Sequence, residues 1–217
     1  MTRRRFFRDN GLSIAFGVLF VLALAAQSWA GMADENHQLA LDQQDPVSWL
    51  EYVTSSNFAV DIAENWQSEY LQFFLFITLT IWLVQRGSPE SKKPEDAGSA
   101  DEPDDATRRS SRPVVATGWG RQLYSRSLSL TMLAIFIAAW LVQSFAGLVV
   151  YNDEQERNEL EPISWPAYLA SGDFWNRTLQ NWQSELLAVG SMVIFAVYLR
   201  QRGSPESKAV DAPHDSQ

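Results

Sequence analysis

Glu69 and Glu185 each close the same pentapeptide, Asn-Trp-Gln-Ser-Glu, at the head of a strongly apolar segment. A carboxylate drawn into a bilayer is a candidate ion or proton site. The residues beside each glutamate could hold it there. Asn65, Gln67 and Ser68 precede Glu69, and Asn181, Gln183 and Ser184 precede Glu185. Asn65, Glu69 and Gln72 are spaced i, i+4, i+7 and share one helix face. Gln27 and Gln143 lie near the outer ends of two other apolar runs and are the expected amide donors to the glutamates. Trp66 and Trp182 are expected as interfacial anchors.

Three readings of this polar cluster stay open. It is a boundary, with the glutamates touching headgroup water. Or it is glue, with amides and hydroxyls bonding between helices. Or it is an ion or proton site, a reading weakened because no basic partner lies inside the spans.

The elements that must position these residues are membrane helices. The chain has 217 residues, of which 46% are hydrophobic, gathered in four blocks rather than scattered. A hydrocarbon core of about 30 Å needs roughly 20 helical residues. The candidates are Leu12–Ala30, Trp66–Gln85, Ser127–Tyr151 and Trp182–Arg200. In hydrocarbon each backbone must satisfy itself, so all four are expected to be helices. The apolar runs behind Glu69 and Glu185 are short, which draws both motifs into the outer interface or leaflet.

All but two of the 17 basic residues lie before the first span, between the second and third, or after the fourth. The exceptions are Arg157 and Arg177. Both termini are therefore expected in the cytoplasm, with two acidic loops outside. The start, "TRRRFFRDNG" with "SWAG" beyond the apolar run, also resembles a secretory signal. An internal duplication argues against cleavage there, because the matching segment lies mid-chain.

That duplication has an offset of 116 residues and needs no gap. It pairs Gln27-Ser28 with Gln143-Ser144, Trp49 with Trp165, Asn65 with Asn181, and "QRGSPESK" at Gln85 with the same string at Gln201. Each unit holds two spans, so both enter with one orientation, a parallel repeat rather than an inverted one. The expected organisation is a first repeat over 1–92, a disordered acidic and polar cytoplasmic linker over 93–116, a second repeat over 117–208, and a disordered tail over 209–217. Asn57 and Asp173 are expected to cap the second helix of each unit. In the shared string, Gly87 and Gly203 suit a helix C-cap, Pro89 and Pro205 prevent continuation, and Arg86 and Arg202 hold the inner boundary.

The duplicated "NWQSE" and "QRGSPESK" motifs resemble those of an uncharacterised bacterial family of small four-span membrane proteins, a domain of unknown function. The resemblance covers nearly the whole chain except the linker and tail. It implies a multi-pass location in the bacterial inner membrane and supplies no activity.

The expected fold is thus an all-α membrane protein with four transmembrane helices as two parallel-repeat hairpins. No nucleophile–base pair, phosphate loop or metal constellation is evident, so neither an enzyme nor a cofactor is expected. The chain lacks cysteine and carries a net charge of -9, which excludes thiolate metal sites and argues against nucleic acid. The expected partners are the lipid bilayer and a second copy or another membrane protein. The function expected is structural or interactive, with a small ion- or proton-coupled transporter or channel using Glu69 and Glu185 as the alternative.

Overall fold

The computed structural model describes residues 3–99 and 119–215. Most of the linker, from residue 100 to 116, lies outside them. Among the described residues every regular element is helical. The order is α1 (Arg3–Asp9), α2 (Gly11–Leu41), α3 (Trp49–Val53), α4 (Ser56–Leu79), a 3-10 turn (Pro94–Asp96), α5 (Trp119–Ser125), α6 (Ser127–Arg157), α7 (Trp165–Leu169) and α8 (Gly172–Tyr198). Two of these are long and apolar enough to cross a membrane, α2 and α6, each of 31 residues. The other two expected spans, carried by α4 and α8, do not meet that measure. The reason is composition. Asp61, Glu64 and Glu69 interrupt α4, and Asp173, Arg177 and Glu185 interrupt α8.

The chain divides into two compact units. The first is Met1–Ile62 with Phe145–Ile163, and the second is Ala63–Ser144 with Ser164–Gln217. The long helices α4 and α6 each contribute to both.

In the first unit, α2 and the outer part of α6 end in the same way. Gln43 and Glu159 take left-handed backbone, with φ of 58° and 59°. Gln44 N donates to Leu39 O at 2.8 Å, and Leu160 N to Gln155 O at 2.8 Å. This is the Schellman closure, built without glycine. The chain then returns along the helix and is clamped by an asparagine. Asn36 Nδ2 donates to Val47 O at 3.0 Å, and its Oδ1 accepts from Val47 N at 2.7 Å. Asn152 makes the same pair with Ile163, at 3.0 and 2.9 Å. A capping box then opens α3: Ser48 Oγ accepts from Glu51 N, and Glu51 Oε2 accepts from Ser48 N at 2.7 Å. Trp49 Nε1 donates to the buried Ser28 Oγ at 3.0 Å, pinning α3 to α2.

The second unit repeats the last device. Trp165 Nε1 donates to Ser144 Oγ at 3.2 Å, pinning α7 to α6. Tyr168 and Phe174 are fully buried, with ring centroids 5.5 Å apart. Tyr52 and Phe58 show the same spacing in the first unit. The expected caps differ in identity. Ser171, not Asp173, caps α8, accepting from Phe174 N at 3.2 Å, and Ser55 Oγ accepts from Phe58 N at 3.3 Å. A serine one residue before the helix reaches the third helical amide, whereas Asn57 and Asp173 already lie within the first turn.

The shared "QRGSPESK" strings are hydrogen-bonded turns beyond the helices, not helix C-caps. α4 stops at Leu79 and α8 at Tyr198. In each turn a serine hydroxyl ties the string shut: Gln85 N donates to Ser91 Oγ at 2.7 Å and Gln201 N to Ser207 Oγ at 2.8 Å. Gly87 and Gly203 do take positive φ, 85° and 82°, but as turn residues. The end of α8 is capped by Arg200 rather than Arg202, through bonds from Nη1 to Ala196 O and Val197 O. Arg200 also donates to Ala209 O and Ala212 O.

Candidate functional site

Helical register decides which residues of the duplicated motif face inward. The buried residues of α4 are Val60, Ala63, Gln67 and Ser68, a stripe at i, i+3, i+7, i+8. Gln67 and Glu69 are two residues apart, about 200° around a helix with 3.6 residues per turn. Burying Gln67 therefore turns Glu69 outward. Glu69, Asn65 and Trp66 are exposed. On α8, Gln183 and Ser184 are exposed, while Asn181, Trp182 and Glu185 are half-buried. Gln27 is exposed and Gln143 is fully buried.

The two copies of the motif meet through Gln67 and Trp182. Trp182 Nε1 donates to Gln67 Oε1 at 2.7 Å, and Gln67 Nε2 donates to Glu64 O at 3.0 Å. The Trp182 ring lies against Phe136, with centroids 6.4 Å apart. The serines do not bridge helices. Ser68 Oγ donates to Asn65 O at 2.8 Å and Ser184 Oγ to Asn181 O at 2.9 Å, each within its own helix.

Gln143 does not pair with Glu185 as expected. Its Nε2 donates to Thr178 Oγ1 at 3.2 Å. Thr178 lies seven residues before Glu185, about 10 Å along the helix at 1.5 Å per residue. The expected pairing assumed that the apolar runs of both helices end at the same height. Instead α8 begins far outside its apolar run, and Phe136 meets Trp182 while Gln143 meets Thr178, an antiparallel register shifted by about two turns. Among the described residues neither the Glu69 nor the Glu185 carboxylate has a hydrogen-bond or ion-pair partner. Three buried polar atoms also lack a partner: Gln143 Oε1, Gln72 Oε1 and Trp140 Nε1.

The sequence reading missed the ion pairs. Arg177 in α8 reaches Asp173, Nε to Oδ2 at 3.3 Å, and Glu64 of α4, Nη1 to Oε2 at 3.5 Å. Tyr168 Oη donates to the same Asp173 at 3.1 Å. Burial, then the Asp173 charge, pushes the Tyr168 phenol well above its usual range. Burial lowers Arg177, but Asp173 and Glu64 outweigh it and raise the guanidinium overall. In the first unit Arg157 Nη1 lies 3.4 Å from Asp42 Oδ2. The Arg177–Glu64 and Arg157–Asp42 bridges run from the second repeat to the first. The signal was available: Arg157 and Arg177 are the only two basic residues on the side expected to be outside.

No group of metal-ligating side chains occurs among the described residues. The site is a set of polar contacts between residues of the two sequence repeats, in a chain whose described regular elements are all helical and of which two are long and apolar enough to cross a membrane. The chain belongs to the family described as domain of unknown function DUF6766, whose pattern matches residues 3–217. No curated protein and no solved structure matches it.

Proposed function

We propose that this protein is a non-enzymatic structural or interaction component of the bacterial cytoplasmic membrane. Its four long helices cross as two hairpins that enter with the same orientation. The observation that carries this reading is the Gln67–Trp182 bond at 2.7 Å, with the Glu64–Arg177 pair at 3.5 Å beside it. The polar residues of the duplicated motif join one repeat to the other. Length supports four crossings. With 24 and 27 residues, α4 and α8 are about 36 and 40 Å long. That exceeds a core of about 30 Å. The basic residues support cytoplasmic termini. Reporter fusions test this: those after Lys92 and Gln217 are expected to read cytoplasmic and one after His37 external. An external signal at Gln217, or a mature N-terminus at Gly31, overturns it.

A second reading, a small proton or cation pathway, rests on one feature. Glu185 stands at the middle of α8 (Gly172–Tyr198) and is half-buried. Intramembrane carboxylates mark ion paths by default. Proton flux in liposomes that is lost in Glu69→Gln and Glu185→Gln, with stability intact, favours this reading over the scaffold. Absence of flux in the wild-type chain removes it.

A further inference from the structure

We propose that the seam between α6 and α8 in the second unit binds a water molecule, held by Trp140, Gln143 and Thr178. Three polar groups meet there without satisfying one another. Trp140 Nε1, a donor, and Gln143 Oε1, an acceptor, are buried and have no hydrogen-bond partner among the described residues. Thr178 is fully buried. Its Oγ1 accepts from Gln143 Nε2 at 3.2 Å, and its own hydroxyl hydrogen has no acceptor among the described residues.

Packing puts the three groups on one seam. Trp140 and Gln143 are three residues apart on α6, and Phe174 and Thr178 are four apart on α8, so each pair shares a helix face. The two faces meet. Trp140 packs on Phe174 with ring centroids 5.4 Å apart, and Gln143 bonds Thr178. All four residues belong to the second unit.

The donor and acceptor inventory calls for one more participant. A glutamine amide has a donor end and an acceptor end, whereas threonine offers a single hydroxyl. That hydroxyl meets one end of the Gln143 amide, so the other end stays open whichever way the amide is turned. The indole N–H only donates. Open polar groups in a protein interior are costly, and ordered water commonly satisfies them. A cation would face the indole N–H, and an anion would face the amide oxygen. A small neutral ligand that both donates and accepts fits the set. Water accepts from Trp140 Nε1–H and Thr178 Oγ1–H and donates to Gln143 Oε1. That makes about three hydrogen bonds, the usual number for a buried water.

The site belongs to the second repeat alone. At an offset of 116 the equivalent residues are Leu24, Gln27 and Ile62, so only the glutamine remains, and Gln27 is exposed. The inference goes beyond the scaffold reading and does not depend on how many helices cross the membrane.

The full chain, isotope-labelled at nitrogen and held in lipid nanodiscs, provides the test, with bulk water as the probe. The Trp140 indole resonance is the one that disappears in Trp140→Phe. In the wild type it is expected to show a cross-relaxation peak at the water frequency, the mark of a long-lived water beside that N–H. The peak is expected to be lost in Gln143→Leu, which removes the acceptor. It is expected to persist in Thr178→Val, because two polar partners still hold the water. That variant is needed because a threonine hydroxyl exchanging with solvent gives the same signal. The other tryptophan indoles report whether each variant keeps its fold. Absence of the peak in the wild type overturns the proposal without relying on any variant. An unchanged peak in Gln143→Leu, or its loss in a folded Thr178→Val, overturns it as well.

Discussion

Trp182 Nε1 donates to Gln67 Oε1 at 2.7 Å, so the tryptophan of one motif copy is held by the glutamine of the other. The two residues are 115 positions apart and come from helices of different repeats. The bond satisfies the side-chain oxygen of a glutamine that is fully buried. A buried donor or acceptor left open costs more than a hydrogen bond gains.

Gln67→Leu leaves the Trp182 N–H without its acceptor. It is expected to lower stability by about 1–3 kcal/mol. Trp182→Phe in the same background removes the stranded donor. The double variant is expected to cost less than the sum of the singles, read as thermal unfolding in nanodiscs. Strict additivity would mean the bond does not couple the repeats.

The asparagine clamps predict a graded series. Asn36→Ala removes two bonds to Val47 and exposes both its backbone groups, at about 1–3 kcal/mol. Asn36→Asp keeps the acceptor to Val47 N and loses the donor, so it is expected to fall between Ala and wild type. Asn152→Ala and Asn152→Asp should behave alike because the contacts repeat at Ile163. Chemical denaturation midpoints give the order.

The two turn glycines should differ. Both have positive φ, so alanine costs roughly 1–2 kcal/mol at either position. At Gly203 an added Cβ meets open space, whereas at Gly87 it collides with the His214 carbonyl and presses on Val197. Gly87→Ala is therefore expected to lower the melting temperature more than Gly203→Ala. Equal shifts would show that the inner turn at Gly87 is free to move.

Alkaline stability should report on Tyr168. Burial and then Asp173 raise its pKa above the ordinary value of 10.0. The folded chain therefore holds this proton more tightly than the unfolded one. The stabilisation is complete below the unfolded pKa of about 10 and is lost as pH rises from there through the folded value. Tyr168→Phe is expected to cost about 1–2 kcal/mol at neutral pH through the lost bond to Asp173. Its stability should then fall less steeply above pH of about 10 than that of the wild type. Melting curves at stepped pH read both effects, and parallel slopes would rule out Tyr168 as the source.

The sequence alone determined the repeat, the helical class and the apolar stretches. A run of apolar residues bounded by charges needs no partner to be read, and a 116-residue offset is visible in the letters. It also placed Gln67, Gln143 and Trp182 in one polar belt. The tertiary structure decided which of them touch. Burial of Gln67 sends Glu69 outward because one helix cannot present both inward. The sliding of α8 along α6 moved the partner of Gln143 from Glu185 to Thr178. Periodicity fixes a face but not the height at which two helices meet. That height follows from where each helix begins outside its apolar run, and α8 begins at Gly172, well before its own. Arg157 and Arg177 were legible as isolated charges, but Asp42 and Glu64 belong to the other repeat, and only packing brings them within reach.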